Sequence, residues 1–437
     1  MSAQTHAVTR RPGRSSGRRW FRIASAVLAV VVVTAIARSA LVDGAPTAQA
    51  MPDPATAGIV SNAGWVGTWG AAPSDGLENP LEVESGHTLR QVVHVSSGGT
   101  AVRIWLSNRF NDRPQTFDHV TVAIQKGGPA SPAAIRRTMR DVTFGGERTV
   151  TLAAGVERVS DPIVLRVRPD SNLLVTAYIE MVAGKVTMHR VAKQVGFRAE
   201  TGRDHARQIS GTAFTEKSWH WYYLAGIDVL APQERGTLVA FGDSITDGNA
   251  TTSNANRRWP DVLADRIRAE LTPDARLGVV NAGISGNRLL LHGTSVRALD
   301  RVDADVFGRT NVRTMIVLLG INDIQKTPHE TDPADLVAAY RSLVDRAHLR
   351  GIRVIGATIT PFAGWRVHDE ELEATRQAVN RFIRTSGVFD AVADFDVVVR
   401  DPDHPRRLRP TYDVGDGLHL NDAGCRAMAE AVDLATL

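Results

Sequence analysis

Two widely separated segments of this chain carry residues suited to passing a proton from a hydroxyl to an imidazole. Ser244 lies in Gly242-Asp243-Ser244-Ile245-Thr246-Asp247-Gly248, directly after an apolar run at 238–241. A strand running into Gly-Asp-Ser leaves the hydroxyl at the strand's end, on a turn that needs glycine's freedom. Alone, a serine in such a turn is usually only a turn residue. The second segment is Asp416-Gly417-Leu418-His419. An imidazole titrates near neutrality (ordinary pKa of about 6.5) and so suits proton transfer there. It must also be held in one tautomer by an acceptor on its far nitrogen, which an Asp three residues earlier reaches within one turn of chain. Such a pair alone also arises by chance or as a cap. Two more segments could supply donors. The glycines of Asn281-Ala282-Gly283-Ile284-Ser285-Gly286 permit a tight loop that exposes backbone N–H groups, and Asn322 in Gly320-Ile321-Asn322-Asp323 offers a side-chain amide. Acyl transfer builds negative charge on a carbonyl oxygen, and donors aimed at it contribute several kcal/mol. Each segment alone is bland; a nucleophile, a base, its orienting acid and two donors together point to acyl transfer.

The elements expected to position these residues are parallel strands. Apolar runs at 238–241, 279–282, 314–319 and 354–358 alternate with helical stretches. After Pro333, Leu336, Ala339, Tyr340, Leu343 and Ala347 fall on one helical face, with Gly351 near its end; 369–385 and 421–434 read as further helices. Alternating β and α with buried strands indicates a parallel sheet covered on both faces, with its active edge at the strands' carboxyl ends. All four chemical segments sit at that edge or just before the last helix.

The 64–230 region follows a different period. Val102, Ile104 and Leu106 alternate with Arg103, Trp105 and Ser107; Val120, Val122 and Ile124 alternate with Thr121 and Ala123; Leu173, Val175, Ala177 and Ile179 repeat the pattern. Period-2 runs broken by Gly-Gly, Asn-Asp and Asp-Pro turns indicate an antiparallel β-sandwich. The aromatic stretch 219–223 is either a ligand platform or, more simply, a packed strand. Residues 231–236 read as a linker and 237–437 as the α/β domain.

The 437-residue chain has a net charge of +4, but its basicity is concentrated at the front. Residues 1–50 hold seven arginines (Arg10, Arg11, Arg14, Arg18, Arg19, Arg22 and Arg38) against Asp43, so removing their +6 leaves about −2. A remainder near neutrality has no overall field for nucleic acid. The basic stretch, the apolar run 23–37 and Ala48-Gln49-Ala50 read as an export signal (1–50), by the general or the twin-arginine route, followed by a disordered leader (51–63). The apolar run is short for a membrane span, so a retained anchor is the lesser alternative. Cys425 is the only cysteine, which leaves no internal disulfide and reads as a packed thiol. The histidines show no metal-ligand spacing, so neither metal nor cofactor is expected. Trp365 could line an acyl pocket or pack its loop. Arg288 could meet an anionic or sugar substrate, or simply pair with an acid.

Gly-Asp-Ser, Asn-x-Gly-x-x-Gly, Gly-x-Asn-Asp and Asp-x-x-His, in that order over 242–419, resemble the four blocks of SGNH (GDSL-type) hydrolases. The resemblance implies a three-layer α/β/α domain with a mostly parallel five-stranded sheet. It implies Ser244 as nucleophile, His419 as base and Asp416 as its orienter, with an oxyanion hole formed by the Ser244 N–H, the Gly283 N–H and the Asn322 amide. With Trp65-Val66-Gly67-Thr68-Trp69 at the start of a β-sandwich, the whole chain resembles two-domain bacterial members of the family. The function so implied is that of a secreted or envelope-associated serine esterase acting through an acyl-enzyme. Its substrates would be acyl groups on carbohydrates or glycoconjugates. Lipid or aryl esters, or acyl transfer by the same triad, are the alternatives. No stable membrane partner is expected after signal cleavage; oligomeric state and the sandwich's ligand are left open.

Overall fold

The computed structural model describes residues 62–78, 85–200 and 202–437. The stretch expected to be an export signal (1–50) and nearly all of the expected leader (51–63) lie outside the described residues. Among those residues no helix is long and apolar enough to cross a membrane.

The alternating region forms two large antiparallel sheets facing each other, with a three-stranded and a two-stranded sheet beside them. One is six-stranded and centred on Ser85–Val95, Ser171–Met181 and His119–Ile124; the other is five-stranded and built on Trp65–Gly70, Leu224–Leu230 and Gly99–Ser107. Val102, Ile104, Leu106, Val120, Val122, Leu173 and Val175 fill the space between them. The outward faces are less polar than simple alternation implies. Val92, Ala123 and Leu174 lie in a second cluster with Val195, Phe197 and Phe214, so the outer face of the six-stranded sheet is also covered. Of the aromatic stretch, Trp221, Tyr222 and Tyr223 are core residues and only Trp219 is exposed. It is a packed strand with one free indole.

From Gly236 the chain alternates β and α. The parallel sheet runs in the order Leu277–Gly283, Gly236–Gly242, Val312–Leu318, Arg353–Ala357, Ala391–Ala393. This is the five-stranded α/β/α arrangement that the sequence implied. The Pro333–His348 helix buries the expected Leu336, Ala339, Tyr340, Leu343 and Ala347, and Asp332 caps it by accepting the Ala334 N–H. Asp369 and Asn421 are likewise caps, of helices Glu370–Thr385 and Asp422–Glu430. The last helix stops earlier than its periodicity suggested, because Asp433 caps a separate short turn at Leu434–Thr436. The helix Trp259–Glu270, with Pro260 in its first turn, buries Trp259, Leu263 and Ile267.

Both β regions belong to one compact unit, Val60–Leu437. The contact between them is polar and buried. Gly67 N–H donates to Thr237 Oγ1 at 2.8 Å, and Asp228 Oδ2 accepts from both Arg103 (2.9 Å) and Thr310 (2.7 Å). Ser96 Oγ accepts the N–H of Val279, on the edge strand of the parallel sheet, at 2.9 Å and donates to the Thr68 carbonyl at 2.7 Å. Arg109 of the sandwich meets Asp305 at 2.7 Å, and Asp305 also holds Arg301 at 2.9 Å. Arg301 in turn donates to the carbonyls of Gly242 and Ala282, both at 2.9 Å. A buried guanidinium thus ties together the carboxyl ends of two neighbouring strands.

Candidate active site

The strand Gly236–Gly242 is buried along its whole length and runs straight into a one-turn helix, Ser244–Asp247. Asp243 caps that helix by accepting the Ile245 N–H at 3.0 Å. Ser244 is therefore the first helical residue, and its own N–H has no hydrogen-bond partner among the described residues. Asp243 is fully enclosed, and burial pushes its carboxyl up to about 7, against the capping N–H, which favours the charged form.

Across the edge, the turn before the last helix brings His419 Nε2 to 3.0 Å from Ser244 Oγ. His419 Nδ1 is 2.7 Å from Asp416 Oδ2. Asp416 Oδ1 accepts the backbone N–H groups of Leu418 and His419, each at 2.9 Å, which fixes the carboxylate before it meets the ring. Burial would raise the Asp416 pKa, but these two N–H groups and the imidazole outweigh it and hold the carboxyl below its usual range. An ionised Asp416 requires Nδ1 to carry the proton, so the lone pair of Nε2 faces the serine hydroxyl. Serine, histidine and aspartate, spread over 175 residues, form one hydrogen-bonded chain.

The donors are arranged differently from the expectation. The Gly283 N–H is not free: it is donated to Asn281 Oδ1 at 2.8 Å, while Asn281 Nδ2 bonds the Thr246 carbonyl at 2.7 Å. Gly283 is glycine for close packing, since a Cβ there would sit 2.3 Å from the Asp247 nitrogen. Three residues on, the Gly286 N–H has no hydrogen-bond partner among the described residues. The Asn322 Nδ2, on the turn that follows the strand Val312–Leu318, is buried and likewise unpartnered.

Other candidates resolve as structure. Arg288 is buried and donates to the Pro328 carbonyl at 2.6 Å, so it clamps a loop rather than facing solvent. Cys425 is buried, and burial pushes its thiol up to about 12, far from a reactive thiolate. Trp365 packs edge-on to His419, with ring centroids 6.1 Å apart at 90°. Among the described residues, no group of three or more His, Cys, Asp or Glu is placed to hold a metal.

Two residues with no signal in local sequence complete the surroundings. Asp247 accepts from the N–H and hydroxyl of Ser285 at 2.9 and 2.7 Å, and its other oxygen meets His189 Nε2 at 3.0 Å. His189 comes from the sandwich and lies 58 residues upstream. Only the three-dimensional pairing identifies it.

Residues 240–427 match the family model described as GDSL-like Lipase/Acylhydrolase. Among solved structures, the aryl esterase of M. smegmatis is 18% identical over 45% of this chain and 95% of its own, with a TM-score of 0.36. The lipase/acylhydrolase of Enterococcus faecalis is 18% identical over 45% of this chain and 92% of its own, with a TM-score of 0.35. A GDSL-like lipase from Bacteroides thetaiotaomicron is 17% identical over 46% and 87%, also at 0.35. A comparison with curated proteins found no match.

Proposed function

We propose, for a chain whose residues 240–427 are a GDSL-like lipase/acylhydrolase domain and hence a carboxylic-ester hydrolase, that catalysis runs through an acyl group carried on Ser244. The observation that carries this reading is the chain Ser244–His419–Asp416 at the carboxyl edge of the parallel sheet. Ser244 Oγ attacks the ester carbonyl as its proton passes to His419 Nε2, giving a tetrahedral oxyanion. Collapse expels the alcohol, which takes the proton from the imidazolium and leaves acyl-Ser244. Water then attacks this ester with His419 again as base, and the acid leaves with Ser244 restored. The Ser244 N–H and the Asn322 amide serve the oxyanion. The Gly286 N–H takes the place expected of Gly283, because Gly283 is committed to Asn281.

The substrates in this reading are acyl groups on carbohydrates or glycoconjugates. The support is the family resemblance of the four sequence blocks and the basic and apolar segments in residues 1–50, which read as an export signal. Residues 64–230 act as a fixed part of the enzyme, joined to residues 237–437 by a short connection. The test is an organophosphonate, expected to modify Ser244 alone, followed by rates on a panel of acylated sugars and p-nitrophenyl esters. Labelling of a different serine would remove the nucleophile assignment. A strict preference for lipid or aryl esters would replace the substrate class, and product partitioning to an added acceptor alcohol would show an acyltransferase. For location, the expected result is secreted protein beginning at Met51 on N-terminal sequencing. Full-length chain recovered from membranes would establish the anchor instead.

A further inference from the structure

An asparagine amide serves an oxyanion only if its NH2 end faces the reacting carbonyl and its oxygen faces away. The two ends are nearly the same shape, so something must set the direction. We propose that Trp365 and Gln325 are positioning residues that fix the polarity of the Asn322 amide; the inference rests on the acyl-transfer reading of the site.

The argument starts from the indole, which can only donate. Trp365 Nε1 is 2.9 Å from Gln325 Oε1, so the Gln325 atom facing the indole must be its oxygen. The other end of Gln325 is then its NH2 group, and this Nε2 donates to Asn322 Oδ1 at 2.9 Å. With its oxygen occupied, Asn322 is left with Nδ2, which is buried and has no partner among the described residues. Reversing either amide would set N–H against N–H at one of the two contacts. Asn322 and Gln325 are 3% and 7% exposed, so water has little access to repair such a mismatch. One donor-only group at the end of two amides thereby polarises both.

The indole is itself held on the catalytic edge. Its N–H reaches Gln325 while its ring packs edge-on to His419. The turn that carries the base lies directly against the tryptophan's backbone: a Cβ on Gly417 would sit 2.7 Å from the Trp365 nitrogen. Trp365 therefore contacts the base directly and, through Gln325, sets the oxyanion donor. Neither Trp365 nor Gln325 hydrogen-bonds to Ser244 or to the His419 ring.

The test is Gln325→Glu, which keeps the shape but accepts at both ends. Trp365 can still donate to the carboxylate, whereas Asn322 must turn its NH2 towards it and present oxygen to the developing oxyanion. The expected result is a kcat lower by ~10²–10³-fold with KM little changed, matching Asn322→Ala. The ratio of variant to wild-type kcat should recover on acidification, as the introduced carboxyl takes up a proton and donates again. Because a new negative charge could also slow the reaction directly, the deciding measurement is the double variant Asn322→Ala/Gln325→Glu. If Gln325 acts through Asn322, the double variant is about as slow as Asn322→Ala alone. Trp365→Phe, which keeps the ring edge and removes the N–H, should lower kcat by ~10-fold in wild type and change little when Asn322 is already Ala. This second cycle decides the matter if the carboxylate variant fails to fold. Full kcat in Gln325→Glu, or losses that multiply in the double variants, would overturn the relay while leaving the triad intact. Full kcat in Asn322→Ala would instead overturn the oxyanion reading on which the relay rests.

Discussion

Ser244→Ala should lower kcat on any ester substrate by ~10³-fold or more while leaving KM and the thermal midpoint nearly unchanged. The substitution deletes one oxygen from a 6%-exposed side chain whose Oγ has His419 Nε2 as its partner. The cap at Asp243, the clamp at Arg301 and the donors at Ser244 N–H and Asn322 do not depend on that oxygen. What remains is a site that binds the ester and stabilises an oxyanion but has no nucleophile, so a small residual rate is expected. Pre-steady-state measurements with excess p-nitrophenyl acetate check the prediction: wild type should show a burst of p-nitrophenol and the variant none. A variant that still gives a burst would mean another residue carries the acyl group.

His189→Ala should lower stability by about 3–5 kcal/mol, the usual effect of removing one partner of a buried ion pair. Both ring nitrogens of His189 face acceptors. Nδ1 is 2.8 Å from the Ala72 carbonyl, and Nε2 is 3.0 Å from Asp247 and 3.2 Å from the Val191 carbonyl. Only the imidazolium can donate at both ends. Burial lowers the His189 pKa and the nearby Arg258 lowers it further, but Asp247 and the Ala72 carbonyl outweigh them, so the net shift is upward. The sign of the pH dependence follows. A raised pKa in the folded state contributes stability that is fully present below the unfolded value of about 6.5 and is lost as pH rises through the folded value. Urea midpoints of wild type and His189→Ala should therefore differ most in mildly acidic solution and converge on the alkaline side. A gap that is constant with pH would show that His189 is neutral and merely packed. Because Asp247 also holds Ser285, the variant should lose kcat as well.

The four chemical segments were legible because each is local. Gly-Asp-Ser at a strand end, Asp416 three residues before His419, and Asn322 after an apolar run are all chemistry expressed within a few residues. Four strands of the parallel sheet were legible for the same reason, since each contains a short, mostly apolar run, whereas the three-residue Ala391–Ala393 is too short to give one. The Gly283 expectation failed because whether a backbone N–H is free depends on a side chain, here that of Asn281, turning back onto its own strand. Nothing in spacing distinguishes Gly283 from Gly286. Gln325 and Trp365 lie 40 residues apart, and His189 and Asp247 lie 58 apart. Pairings at that range are made by the fold and leave no local period.

The strand Leu277–Gly283 is an edge strand of the parallel sheet, and it ends one residue before the loop that carries Ser285 and Gly286. A bare margin of that kind invites another molecule to add a strand to it. Here the place is filled from within the same chain: Gly278 has no Cβ because the Gly67 carbonyl lies where it would be, and Ser96 satisfies Val279 in place of a neighbouring strand. The sandwich is in this sense a stopper for an unfinished sheet. The covering of this edge and the alignment of the catalytic loop thus depend on the same few contacts. A lesion at Ser96 or Gly67 would surface as clumping before it surfaced as lost turnover.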